Sequence, residues 1–210
     1  MRGVQPWTEV TDGAELARLL GEPLPAARDK PRATLHPYAA EWVRRSPFLL
    51  LATADAAGRC DVSPRGDPPG SVLVLDERTL ALPERPGNRR ADSLRNVLEN
   101  PRAALLVLVP GRGDTLRVAG RARVVREAPF LDAMVVRGHR PPLALVLEVE
   151  EVFFHCSKAF LRSSLWDPAT WDPGALPSRA RIAQALERPG ESLEELERYY
   201  GPSYGDRIYG

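Results

Sequence analysis

The chain reads as a mainly β protein of the α+β class, an antiparallel barrel with flanking helices. Three observations predict this. Short apolar runs recur along the middle of the chain, separated by turn residues. Only two helical patterns interrupt them. No Gly-x-Gly-x-x-Gly follows a strand, which removes a Rossmann nucleotide domain.

Residues 1–33 read as an irregular arm with one short helix near Ala14–Leu20, broken by Pro23, Pro25 and Pro31. Leu35–Arg45 reads as a helix with Ala39, Trp42 and Val43 on its apolar side, stopped by Ser46-Pro47. Phe48–Ala54 is the first strand, 55–59 a turn, and Cys60–Ser63 the start of a partner strand, leaving Ser63, Arg65 and Gly66 at and just past its end. Ser71–Leu75 and Thr79–Leu82 form a second hairpin about Asp76-Glu77-Arg78. Asn88 is read as the N-cap of a short helix ended by Pro101, with Ala91, Leu94 and Leu98 as its apolar face. Ala103–Val109 is a buried strand. Thr115–Val125 alternates, with Leu116, Val118, Gly120, Ala122 and Val124 on one face and Thr115, Arg117, Arg121 and Arg123 on the other. Ala128–Val136 reads as a helix and Leu143–Cys156 as a long last strand. Helices near Ser178–Leu186 and Ser192–Tyr199 follow, the second opened by a Ser192/Glu195 capping box, and a tail from Tyr199 to Tyr204 too polar to form core. The implied organisation is one structural domain in three stretches: 1–45 as arm and packing helix, 46–166 as barrel, 167–210 as helical extension.

A formal net charge of +1 gives no footing for nucleic acid or an anionic membrane surface. The apolar runs fall far short of the roughly 20 residues of a membrane helix. The N-terminal residues lack the apolar region of a signal peptide, so a cytoplasmic protein with reduced Cys60 and Cys156 is expected. The histidines, His36, His139 and His155, are scattered and suggest no metal site. Positive charge is carried almost wholly by arginine, since only Lys30 and Lys158 are lysines.

Arg89 and Arg90 are the most informative pair. The first turn of a helix exposes unpaired N–H groups and prefers acidic residues. Two arginines there conflict with that preference, and a bound phosphate would resolve the conflict. Arg65 adds a planar fork of donors, and Gly66 permits close backbone approach.

Three segments carry a family resemblance: Ser63-Pro64-Arg65-Gly66-Asp67, Gly87-Asn88-Arg89-Arg90-Ala91 and Phe154-His155-Cys156-Ser157-Lys158. The order of strand, Gly-polar-basic-basic-Ala, helix, Asn-Pro and strand resembles the FMN-binding split-barrel family that includes pyridoxamine 5′-phosphate oxidases, over about residues 45–166. The resemblance implies a six-stranded split barrel, FMN as cofactor with deazaflavin as the alternative, and a homodimer. It assigns Arg89 and Arg90 to the FMN phosphate, with Asn88 at the small polar position, and Ser63, Arg65 and Gly66 to the strand–loop beside the cofactor. Thr115 falls where relatives carry a polar flavin contact. His155, Ser157, Lys158, Arg162 and Trp166 fall on the segment that reaches the flavin bound mainly by the other subunit. Pro68-Pro69-Gly70 departs from the oxidase pattern, and no Trp–Arg-rich terminal segment for pyridoxal phosphate is recognisable, which argues against vitamin B6 oxidation.

The expected function is therefore an FMN-binding oxidoreductase moving electrons or hydride to a small molecule, its substrate and catalytic residues undefined. A non-catalytic flavin carrier, sensor or stress protein is the second reading. The third is a flavin-free barrel that binds RNA or an acidic partner, which the near-neutral charge disfavours.

Overall fold

The computed structural model describes residues 7–209. They divide into two compact units, the boundary falling between Pro31 and Arg32. In the first, helix α1 (Gly13–Leu20) is capped by Asp12, whose carboxylate accepts from Glu15 N–H at 2.8 Å, and a four-residue helix α2 (Pro25–Arg28) joins the single helix expected there. Neither buries a residue.

The second unit opens with α3 (Pro37–Arg45) and holds seven strands: β1 (Phe48–Ala54), β2 (Cys60–Gly66), β3 (Leu73–Asp76), β4 (Thr79–Pro83), β5 (Arg102–Leu108), β6 (Thr115–Val125) and β7 (Ala144–His155). Helix α4 (Asp92–Glu99) lies between β4 and β5, α5 (Lys158–Ser163) follows β7, and α6 (Arg179–Leu186) and α7 (Leu193–Tyr199) close the chain. All pairings are antiparallel, in the order β2-β1-β5-β6-β7-β4-β3. The count is seven rather than six, because both strands of the Ser71–Leu82 hairpin join the sheet.

Strands far apart in that order face one core. Leu49 and Leu51 of β1, Leu80 and Leu82 of β4, Leu105 and Val107 of β5, and Leu145 and Leu147 of β7 belong to a single buried cluster with Trp42 and Val43 of α3 and Leu94 and Val97 of α4. The sheet therefore curls around its apolar face, and α3 seals one opening with Trp42, whose indole N–H donates to Val107 O at 3.1 Å. At the β6–β7 bulge a Cβ on Gly120 would stand 1.9 Å from Glu148 O, so only glycine fits there.

Several details differ from the sequence reading. The Ala128–Val136 segment is a 3₁₀ turn over Pro129–Met134, with Leu131 and Met134 buried beside Ala81, Ala144 and Val146. Leu98 is 75% exposed; the buried face of α4 is Ser93, Leu94 and Val97. The tail adds to packing after all: Tyr200 packs on the Ala180–Ala183–Leu196 cluster, and its ring meets Tyr199 and Tyr204 at 4.9 and 5.4 Å. The Ser192/Glu195 capping box is present. Among the described residues no disulfide joins Cys60 to Cys156, no helix is long and apolar enough to cross a membrane, and no three metal-ligating side chains gather.

Candidate functional site

The β1–β2 hairpin begins at a turn held by Asp55. Its Oδ1 accepts the N–H groups of Ala57 and Arg59, each at 2.9 Å, and these bonds with the Arg59 guanidinium hold the carboxyl below its ordinary range. The register runs unbroken from Ala54↔Cys60 to Phe48↔Gly66. Strand β2 thus continues through Ser63, Arg65 and Gly66, which lie within it rather than past its end. Alternation puts Asp61, Ser63 and Arg65 on one face of β2.

That face forms one wall of a cleft of about 450 Å³, within the size range of small-molecule sites. The opposite wall is the 82–93 segment leading into α4. A directed chain of hydrogen bonds joins the walls. Ser93, buried in the first turn of α4, donates its hydroxyl to Asp61 Oδ2 at 2.6 Å. Its single proton is then spent, so the 3.1 Å contact between Ser63 and Ser93 is donated by Ser63. Ser63 in turn accepts from Arg65 Nε at 3.1 Å, and Arg65 Nη1 donates to Glu84.

The floor is braced by a nearly buried pair, Arg85 Nε to Asp67 Oδ2 at 2.6 Å. Arg85 also donates to Met134 O at 2.8 Å and His139 O at 3.2 Å. The other oxygen of Asp67 accepts from the hydroxyl of Tyr209 at 2.5 Å. This bond to a carboxylate favours the neutral phenol and raises the Tyr209 pKa.

Helix α4 begins later than expected. Its N-cap is Ala91, not Asn88, and no side chain caps it. Asn88 Oδ1 instead accepts from Arg90 N–H at 3.1 Å, a local turn. Arg89 and Ala91 both adopt left-handed backbone, at φ 61° and 54°. Two such non-glycine residues around one arginine store strain of about 1 kcal/mol or more each, a pattern that clusters at ligand sites. The pair of arginines therefore precedes the first helical turn, and that turn carries the expected acid, Asp92, which accepts from Arg90 Nε at 2.7 Å.

The cleft brings together Ser63, Arg65, Gly66, Asn88 and Arg90. Arg89 is exposed and does not line it. The remaining expected residues gather elsewhere on the chain. Thr115, which is buried rather than on an open face, pairs across strands with His155. Gly113 abuts Ser157, and Trp166 donates its indole N–H to Arg112 O at 2.8 Å while stacking on Phe160. Lys158 and Arg162 are exposed on α5. Cleft residues not singled out from the sequence include Asp61, Glu84, Arg85, Asp92 and Ser93, and Asp67 enters only as the last residue of the Ser63–Asp67 segment. Alternation from Ser63 and Arg65 points to Asp61; no local signal marks Glu84, Arg85 or Ser93.

The family model for pyridoxamine 5′-phosphate oxidase matches residues 35–156, more than half of the chain and the whole of the sheet. No curated protein matches. Solved structures similar to the chain include HupZ of Group A Streptococcus, 18% identical over 57% of this chain and 93% of that one, TM-score 0.47. A candidate pyridoxamine 5′-phosphate oxidase of Lactobacillus delbrueckii is 25% identical over 59% and 98%, TM-score 0.46. An FMN-binding protein of Syntrophomonas wolfei is 14% identical over 56% and 86%, TM-score 0.44.

Proposed function

The chain belongs to the pyridoxamine 5′-phosphate oxidase family, and from that premise we propose that its cleft binds FMN by the phosphate and that the protein is a cytoplasmic, homodimeric flavin oxidoreductase. The observation that carries the reading is convergence. Arg65 from β2, Arg90 from the strained loop and the uncapped start of α4 all face one cleft of flavin-compatible size. Arg65 supplies a fork suited to a phosphate monoester, Ser63 holds that fork by Nε, and Asn88 fixes the loop that presents Arg90. Arg89 is the second cation of the pair and reaches the phosphate by a side-chain rotation. When bound, the flavin supplies hydride or electron transfer, and the protein supplies binding, orientation and electrostatics.

A second copy of the chain completes the site. The outer face of β2, β1 and β5 aligns Pro64, Leu50 and Leu106 in one row and Val62, Ala52 and Ala104 in the next. Val62 is 60% exposed, and the row is apolar throughout. A twofold contact through this face is self-complementary and covers it. The group of Thr115, His155, Ser157, Lys158, Arg162 and Trp166 then serves the cleft of the partner rather than its own. The substrate is a small molecule.

The absorption spectrum of the purified protein, the mass of the ligand it releases and its sedimentation test this reading together. A dimer carrying FMN is the expected result. A released deazaflavin would replace the cofactor while keeping the phosphate site, and a colourless protein that takes up neither cofactor refutes the reading.

A further inference from the structure

Four carboxylates, Asp61, Asp67, Glu84 and Asp92, share the cleft with three guanidiniums, Arg65, Arg85 and Arg90, so its formal charge is one negative in excess. Each arginine already holds a carboxylate: Arg65 with Glu84, Arg85 with Asp67 and Arg90 with Asp92. A dianionic phosphate entering this cleft competes with these carboxylates for the guanidiniums.

The three pairs differ in what holds them. Asp67 and Arg85 are nearly buried and fully committed, since Asp67 also accepts from Tyr209 and Arg85 also donates to Met134 O and His139 O. Arg90, 74% exposed on the loop, pairs with Asp92 two residues on at the start of α4, where solvent screens the pair. Arg65 and Glu84 are 23% and 26% exposed, shielded enough for the charges to matter and open enough to a ligand. Among the described residues, Arg65 keeps one unspent nitrogen, Nη2, and the carboxylate of Glu84 meets no partner other than Arg65. The backbone N–H of Glu84 is anchored to Leu143 O at 3.0 Å, so its side chain can swing away without moving β4.

We infer that Glu84 is an internal counter-anion that occupies the Arg65 fork and must be displaced by an incoming phosphate monoester. It tempers phosphate affinity by opposing binding: a phosphorylated ligand exchanges with it, the unphosphorylated analogue leaves it in place, and the preference for the phosphorylated ligand is smaller than Arg65 alone would give. The inference rests on the phosphate reading of the cleft.

Titration of FMN and riboflavin into the wild-type full-length chain and into Glu84→Gln tests it. Glutamine keeps the volume and can still accept from Arg65, so the fold is retained, and a thermal melt verifies this. Glu84→Gln binds FMN about fivefold more tightly, the scale of a partly exposed ion pair, with riboflavin affinity within about twofold of wild type. Glu84→Ala shifts FMN in the same direction. FMN affinity unchanged or weakened in both variants, in a protein that still prefers FMN to riboflavin, overturns the inference while sparing the phosphate reading. Equal wild-type affinity for the two ligands removes both.

Discussion

Replacing Arg85 by methionine removes the brace under the cleft while keeping most of the side-chain stem. Asp67 would be left as a carboxylate only 9% exposed with Tyr209 as its single remaining side-chain donor among the described residues, and the Met134 and His139 carbonyls would each lose a bond. Stripping one partner from a buried ion pair costs about 3–5 kcal/mol. For a chain of this size, 1 kcal/mol moves the melting temperature by roughly 2–4 °C. A fall of about 6–20 °C is expected, read by calorimetry, and FMN binding weakens with it because Asp67 and Arg85 both line the cleft. Adding Asp67→Leu to Arg85→Met removes the orphaned charge and restores at least half of the loss. A fall of less than about 3 °C, or no recovery in the double variant, refutes the claim that these charges depend on each other.

Ser93→Ala cuts the hydrogen-bond chain between the cleft walls at its buried link and strands Asp61 and Ser63; about 2 kcal/mol is lost in denaturant unfolding, and a loss below about 0.5 kcal/mol contradicts the chain. Asp55 has a depressed pKa, so its contribution to stability is present above the ordinary value near 3.8 and disappears as pH falls through the lower folded value. Asp55→Asn is accordingly less stable than wild type at pH 7, and the two melting curves converge at acid pH; a pH-independent gap would show that the charge is irrelevant. Lys158→Met, which removes a cation proposed to face the partner's flavin, lowers the flavin reduction potential and leaves the dimer intact in sedimentation. An unchanged potential in the loaded variant makes Lys158 a solvated surface residue.

Local rules made most of the sheet legible. Phe48 and Ala54 bound β1 as expected, because Ser46-Pro47 halts the preceding helix and 55–59 is rich in turn formers. The bounds of Thr115–Val125 and the faces of Leu116, Arg117, Val118, Arg121, Ala122 and Arg123 were readable from its alternation, with buried Thr115 the exception, and the capping box at Ser192 from its spacing. The start of α4 was not, since the left-handed conformations of two non-glycine residues have no marker in Arg89 or Ala91 themselves. The phosphate reading of the arginine pair started from a premise the structure corrects: the cations precede the first turn instead of occupying it, and only Arg90 lines the cleft. The brace was invisible for another reason. Asp67 and Tyr209 are 142 positions apart, and nothing local predicts that they meet.

The central claim is that the cleft recognises a phosphate, and the ratio of FMN to riboflavin affinity measures it most directly. Two charge-assisted contacts, from Arg65 and Arg90, are each worth roughly 1.5–3 kcal/mol before Glu84 is displaced. Calorimetric titration of both ligands into the wild-type chain should therefore give FMN at least about 100-fold tighter binding, a gap of some 2.7 kcal/mol. Equal affinities would contradict the account.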